Sequence, residues 1–178
     1  MQWLRRLEQV RNMENIVVKE SRISEKGVFS SRSFRKGEVI LEMDDSHVVT
    51  DPSTLTKEQH EFELDYLADG KIVVMQAPER YINHSCDPNS YVKTVNGVRM
   101  VFAMRAIEKG EEIVGDYSIN GYNEGTFKCR CGSENCRVVY QGNFFKLPKT
   151  LQKKYLPYLD DWFVEQFKDN IDRLRCSE

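Results

Sequence analysis

The stretch KCRCGSENCR constrains this chain more than any other. It sets Cys129, Cys131 and Cys136 in a C-x-C-x4-C pattern, with a loop of Gly132, Ser133, Glu134 and Asn135 that lets the third thiol turn back on the first two. A structural zinc ion is tetrahedral and takes four ligands, so a chain with three clustered thiols has to bring a fourth from elsewhere. Cys86 and Cys176 are the remaining cysteines. Cys86 sits in the dense polar stretch YINHSCDPNSYV, whereas Cys176 lies at the frayed end, so Cys86 is the expected fourth ligand. Four thiolates on Zn²⁺ would staple the loop after Asn83-His84 to the segment after Tyr117. The competing reading, thiols without a metal, is disfavoured by the clustered spacing.

An odd number of cysteines with no secretory leader at the start argues against structural disulfides and for thiols kept reduced or on metal, hence an intracellular protein. The chain has 178 residues, enough for one domain with a real core. Its formal net charge of −2 gives no overall attraction to nucleic acid, and no interleaved basic and aromatic residues mark a nucleic-acid surface. No apolar run approaches the roughly 20 residues of a membrane span.

The apolar spacing predicts mostly short strands. A short amphipathic helix is expected over residues 1–15, from Trp3, Leu4, Leu7 and Val10. Strands are expected in NIVVKES and on both sides of the Lys36-Gly37 turn in KGVFSSRSFRKGEVILEM. TKEQHEFELDYL reads as the one helix of the middle section, followed by strands in KIVVMQ and SYVKTVNGVRMVFAMRAI. In the last of these, Asn96-Gly97 is a strong hairpin signal. KGEEIVGDYS repeats the turn-then-strand form of KGEVILEM. From Leu147 onward Leu151, Tyr155, Leu159, Trp162, Phe163, Phe167, Ile171 and Leu174 recur at helical spacing, broken by Pro157 into two helices that pack on the domain. The expected class is α+β, rich in β-structure, with a C-terminal helical tail.

ERYINHSCDPN, then GEEIVGDYS, then CRCGSENC resembles the SET-domain protein lysine methyltransferases with a post-SET zinc-binding loop, and SEKGVFSSRSFRKGEVI resembles the opening motif of the same family. The resemblance covers about residues 16–142 and leaves both ends of the chain outside it. It implies a SET-domain β-clip of several short curled sheets, with a pseudoknot that sets the NHSC and GDYS segments side by side. The implied layout is an N-terminal helix over 1–15, a SET domain over 16–120, a post-SET zinc loop over 121–142 and a C-terminal helical extension over 143–178. The implied reaction is methyl transfer from S-adenosylmethionine to a lysine ε-amine of a protein or peptide, such as a histone tail.

On that resemblance Tyr117 is the catalytic residue, its hydroxyl beside the transferring methyl. Asn83 and His84 match the positions that hold the cofactor's amino and adenine portions. Lys26, Gly27 and Val28 belong to the opening motif, whose backbone approaches the methionine end, and Tyr140 stands where post-SET loops offer a side chain to the adenine. The metal ligands are Cys86, Cys129, Cys131 and Cys136. Ser85 and Asn89 are expected to make local hydrogen bonds that shape the loop.

Three positions depart from the family pattern. Glu25 replaces a second glycine of the opening motif, and Val138 replaces the glycine usual after "CR". Gly115 stands two residues before Tyr117, where Phe or Tyr is common and restricts room around the target nitrogen. Gly115 implies a roomier pocket, a channel rebuilt by an aromatic such as Tyr122 or Phe127, or impaired activity. The alternative function is a catalytically weak, zinc-stapled interaction module. No nucleic-acid or membrane partner is expected. The protein is expected as a monomer, or as a homodimer through the C-terminal helices, in cytoplasm or nucleus, or in a host nucleus if the source is microbial.

Overall fold

A computed structural model describes residues 13–67, 70–122 and 125–176. The helix expected over 1–15 lies outside these residues apart from one 3-10 turn at Met13–Asn15. The main sheet runs β1(Ile16–Glu20), β2(Lys26–Ser30), β9(Glu112–Gly115), β7(Ser90–Val95), β8(Val98–Ala103) and β3(Val39–Glu42), with β6(Asn83–His84) also pairing β9. Two small hairpins accompany it, β4(Leu64–Tyr66) with β5(Ile72–Val74) and β10(Thr126–Lys128) with β11(Val139–Gln141). Helices α1(Lys149–Tyr155), α2(Asp161–Gln166) and α3(Lys168–Cys176) close the chain. This is the β-rich α+β architecture expected of the sequence. Among the described residues no helix is long and apolar enough to cross a membrane.

The turns form where the sequence places residues that tolerate left-handed backbone. Asn96 and Gly97 hold φ of 51° and 80° and join β7 to β8, the pattern of a type I′ hairpin. The two similar turn-then-strand segments find each other: the backbones of Phe34 and Ile107, each just before its Lys-Gly turn, exchange hydrogen bonds of 2.8 and 3.0 Å. Both side chains enter the sheet core with Val28, Ile40, Leu41, Val101 and Ile113.

The middle section departs from expectation. Instead of one helix over residues 56–67, a π-helical turn at Gln59–Glu63 gives way to β4. Tertiary pairing decides this: β4 pairs with β5, and Arg99 of β8 binds Asp65 at 2.5 Å and Asp45 at 2.6 and 2.9 Å, holding the hairpin to the main sheet.

The C-terminal tail breaks twice rather than once. A 3-10 turn containing Pro157 ends α1, and a second break at Phe167 separates α2 from α3. At that break the Phe167 ring packs against Phe145, Phe163 and Tyr122. Tyr155, Leu159, Phe163, Ile171 and Leu174 are all buried with Met104, Ile119 and Phe144, so the aromatic stripe packs inward on the domain.

Candidate functional site

The site is assembled where β6 lies parallel to β9. Asn83 pairs with Val114 and His84 with Gly115, and the Ser85 amide continues the ladder to the Gly115 carbonyl at 2.8 Å. NHSC and GDYS, about thirty residues apart in the chain, therefore lie side by side, as the motifs led us to expect.

Asn83 is buried, and its Nδ2 donates to the Lys26 carbonyl and to Glu112 Oε1, both at 2.8 Å, with Ser21 Oγ at 3.3 Å. Ser21 Oγ also donates to Glu112 Oε1 at 2.8 Å. Acceptors surround Nδ2, which fixes the amide orientation and leaves Oδ1 with no hydrogen bond from a described residue. A Cβ on Gly27 would stand 2.2 Å from Glu112 Oε1, so glycine is what lets this carboxylate reach Asn83. Val28 sends its side chain into the core, and Lys26 sets its ammonium 5.2 Å from the Tyr81 ring centroid. Of this opening motif, Val28 therefore offers a ligand only its backbone. Ser21 and Glu112 were not singled out from the sequence. The local signal for Glu112 was a carboxylate three residues before Gly115.

His84 is buried among aromatic rings, with Tyr140, Tyr117 and Phe127 at centroid distances of 5.0, 5.3 and 5.8 Å. Its Nδ1 accepts from the Tyr117 amide at 3.3 Å, and its Nε2 lies 3.6 Å from Cys86 Sγ. Burial pushes its pKa down to about 4 against the pull of Asp116, so the imidazole is neutral, with the proton assigned to Nε2. Tyr140 is buried and stacks on Phe127 at 4.5 Å. Of the two aromatics considered as replacements for a ring at position 115, Phe127 joins this group, whereas Tyr122 packs on Phe167. A Cβ on Gly115 would meet only the Ser90 carbonyl, at 3.9 Å.

Tyr117 donates its hydroxyl to the Ile82 carbonyl at 2.6 Å. The residue is 41% exposed, with its hydroxyl turned onto the Ile82 carbonyl. Burial, with Asp65 adding to it, pushes the phenol's pKa up, so the group is a neutral hydroxyl at physiological pH.

The four expected metal ligands come together: the sulfurs of Cys86, Cys129, Cys131 and Cys136 all lie within 4.8 Å of one another. Cys86 Sγ to Cys129 Sγ is 3.8 Å, which is about the edge of a tetrahedron with Zn–S bonds of ~2.3 Å. The donor set therefore fits one zinc ion. Cys176 is exposed and apart from this group. Burial pushes the Cys86 and Cys129 thiols up, while for Cys131 backbone donors at Cys86 and Ser133 outweigh burial and draw it down.

Between the thiol cluster and Tyr117 lies an ion pair that the sequence did not announce, its carboxylate buried and its guanidinium half-buried. Asp116 accepts from Arg137 at 2.6 and 2.9 Å, from the Tyr155 hydroxyl at 2.9 Å and from the Ser118 amide at 3.1 Å. These four bonds fill the roughly four lone-pair positions of a carboxylate. Burial alone would raise its pKa, but the Arg137 guanidinium outweighs this and lowers it. Asn89 also does more than shape its own loop: fully buried, it bonds the Glu112 carbonyl at 2.7 Å and the Val114 amide at 2.9 Å, and so clamps β9. Ser85 keeps the local role, accepting from the Asp87 amide at 3.1 Å. A cleft of about 380 Å³ opens nearby between Ile23, Ser85, Glu112 and the metal loop, without including Asn83, His84, Tyr117 or Tyr140.

The sequence model of the SET domain matches residues 25–118, more than half of the chain and the whole of β2 through Tyr117. The chain belongs to the SET domain family. Curated relatives include histone-lysine N-methyltransferase trr of Drosophila melanogaster, 31% identical over 136 residues, covering 69% of this chain and 6% of the relative. Histone-lysine N-methyltransferase ash1 of the same fly is 43% identical over 83 residues, 42% of this chain and 4% of the relative. The H3 lysine-36 specific histone-lysine N-methyltransferase of Saccharomyces cerevisiae is 37% identical over 111 residues, 57% of this chain and 14% of the relative. This SET domain chain thus spans a small fraction of the length of the relatives it matches. SET methyltransferases draw their methyl group from S-adenosylmethionine.

Proposed function

We propose that this SET domain chain is a protein-lysine N-methyltransferase that moves a methyl group from S-adenosylmethionine to a lysine ε-amine, on histones. The observation that carries this reading is the meeting of Asn83, His84 and Tyr117 beside the four-thiol cluster. The histone assignment is supported by the names of the three relatives given above, each a histone-lysine N-methyltransferase, and implies work in the nucleus of the source or of its host.

A lysine amine with a pKa near 10.4 is protonated at neutral pH, and freeing its lone pair costs ~4.6 kcal/mol. A dry aromatic surround lowers that cost by disfavouring the ammonium. Tyr117 and Phe127 each present a partly exposed ring next to buried Tyr140 and His84, which suits a channel that holds a cation and then its neutral form. S-adenosylmethionine, when bound, would supply a methyl carbon on a sulfonium, which an amine that has given its proton to solvent would attack through the nitrogen lone pair as the C–S electron pair left with sulfur. Tyr117 stays a neutral phenol whose one proton goes to the Ile82 carbonyl, so it turns oxygen lone pairs toward the reacting groups and orients them rather than removing a proton. Its hydrogen bond to the Ile82 carbonyl fixes the direction of the hydroxyl, and in-line positioning of this kind supplies much of the rate.

The cofactor fits the residues present. Asn83 Oδ1 is left to accept an ammonium while its Nδ2 is consumed by Lys26 and Glu112. Gly27 leaves room for the Glu112 carboxylate that holds the Asn83 amide, and the Phe127 ring, exposed and stacked on buried Tyr140, offers a face for a planar base beside His84. Zn²⁺ held by Cys86, Cys129, Cys131 and Cys136 would fix the Tyr140 strand against the NHSC segment, a structural rather than a chemical role.

The test is transfer of labelled methyl from S-adenosylmethionine to histones, with Tyr117→Phe beside the intact protein. The intact protein is expected to label a histone, and Tyr117→Phe to bind the cofactor while labelling at least about tenfold more slowly. Cofactor binding without transfer by the intact protein would favour the interaction module instead.

A further inference from the structure

Tyr117 is bracketed by two residues that are both anchored to the C-terminal helices. One position before it, Asp116 accepts the Tyr155 hydroxyl of α1 at 2.9 Å. Three positions after it, Asn120 holds left-handed backbone with φ of 65°, and its Oδ1 accepts from the Asp160 amide at 2.8 Å. Asp160 is buried and accepts in turn from the Thr94 amide and hydroxyl, each at 2.7 Å, so the junction before α2 is also tied to β7. The extension is therefore bolted to both ends of the five-residue segment that presents the phenol.

Tyr155 itself is fully buried with Phe144, Phe163 and Ile171. Phenylalanine would fill that space equally well, so packing does not explain the hydroxyl. Its hydrogen bond goes to Asp116, on the oxygen that Arg137 Nη1 also meets at 2.6 Å. Asp116 thus stands between the metal loop and the helical tail, and His84 Nδ1 lies 3.6 Å from its other oxygen while accepting the Tyr117 amide.

We infer that Tyr155 is a positioning residue for Tyr117, and that the C-terminal extension is a working part of the methyl-transfer site rather than a removable cap. The inference rests on the reading of Tyr117 as the catalytic residue. Removing the Tyr155 hydroxyl frees one acceptor position on Asp116, letting its carboxylate rotate about the Arg137 fork. Asp116 is covalently next to Tyr117, so that rotation is passed to the direction of the ring. Small misplacements at a reacting centre are costly, up to about a hundredfold for an ångström.

The experiment uses the full chain with S-adenosylmethionine and a histone substrate that the intact protein methylates. Tyr155→Phe is expected to lower kcat about five- to twentyfold, with KM for cofactor and substrate held within about twofold. Asn120→Gly, which keeps the left-handed backbone and removes the tie to Asp160, is expected to act in the same direction. Trp162→Phe is the control, because it trims the extension at a partly buried ring that packs on Phe163 and is hydrogen-bonded to neither Asp116 nor Asn120 among the described residues. Hydrogen exchange of the 116–120 amides is expected to quicken in the first two variants and not in the control. An unchanged kcat in Tyr155→Phe and Asn120→Gly overturns the inference, and so does an equal loss in Trp162→Phe at matched stability. Absence of transfer by the intact protein overturns the enzyme reading, and this inference with it, before any variant is compared.

Discussion

Cys86 Sγ and Cys129 Sγ stand 3.8 Å apart although 43 positions separate them along the chain. Backbone amides of Arg137 and Val138 donate to the Cys86 and Cys136 sulfurs at 3.4 Å, which suits thiolates better than four neutral thiols crowded together. With an ion the four sulfurs form one tetrahedral shell.

One zinc per chain is therefore expected by elemental analysis of purified protein. Cys86→Ser and Cys129→Ser should each lose it, and Cys176→Ser, at an exposed position outside the cluster, should keep it. Stripping the metal should lower stability by several kcal/mol, since metal affinity in such sites is folding free energy. Metal-free protein with an unchanged melting temperature would defeat the staple.

The thiol cluster was legible because spacing alone restricts which ligands can share an ion, and the hairpin at Asn96-Gly97 because left-handed backbone selects those residues. The middle helix was misread for a reason visible in TKEQHEFELDYL. Its Phe62, Leu64 and Tyr66 alternate at the period of a strand as well as fitting a helix turn, and the partner that decides, β5, comes later in the chain. Asp116, Arg137 and Tyr155 were not legible as a group. Each is an ordinary residue locally, and only the fold reveals a carboxylate shared across 21 and 39 positions.

Gly27 and Glu112 give a second prediction. A methyl at position 27 forces the Glu112 carboxylate away from Ser21 and Asn83. Gly27→Ala should cost ~1–3 kcal/mol in denaturant unfolding, the range for stranding hydrogen-bonded polar groups. In a Glu112→Ala background the same substitution should cost clearly less, because the displaced carboxylate is already gone. Equal costs in the two backgrounds would show that the clash is absorbed elsewhere.

Val138 holds φ of 66°, a conformation that a β-branched residue pays for in steric strain. Left-handed backbone costs an L-residue roughly 1–2 kcal/mol, and glycine returns about 0.5–1 kcal/mol of that as extra freedom in the unfolded chain. The Val138 side chain is 59% exposed, so little packing is lost. Val138→Gly should raise the denaturant midpoint by a net gain of about 0.5–1 kcal/mol with an unchanged slope. A fall in the midpoint would mean that the exposed isopropyl group makes contacts worth more than the strain.

Gly115 leaves open space where a larger side chain would crowd the neighbourhood of Tyr117, since a Cβ there meets nothing nearer than 3.9 Å. Methyl groups already on the lysine can then be accommodated, and products beyond monomethyl are expected by mass spectrometry of a methylated peptide. Gly115→Phe should shift the product toward monomethyl. Product that stops at one methyl in the intact protein would mean that Phe127 or another ring already narrows the channel.

The last prediction concerns acid. Asp116 is held in its charged form by Arg137 despite burial, so its folded pKa lies below the unfolded value near 3.9. A group depressed in this way adds stability that is fully present above the unfolded value and is lost as pH falls from there through the folded pKa. The protein should therefore lose stability as pH drops below about 4. Asp116→Asn removes that contribution and leaves half-buried Arg137 against a neutral partner, with its Nε already unpaired among the described residues. Such a break in a buried pair costs ~3–5 kcal/mol at neutral pH. The variant should thus be weaker at pH 7 and show a shallower loss between pH 4 and lower values, measured as unfolding free energy against pH. An acid limb as steep in Asp116→Asn as in the parent would assign the proton uptake to other carboxylates.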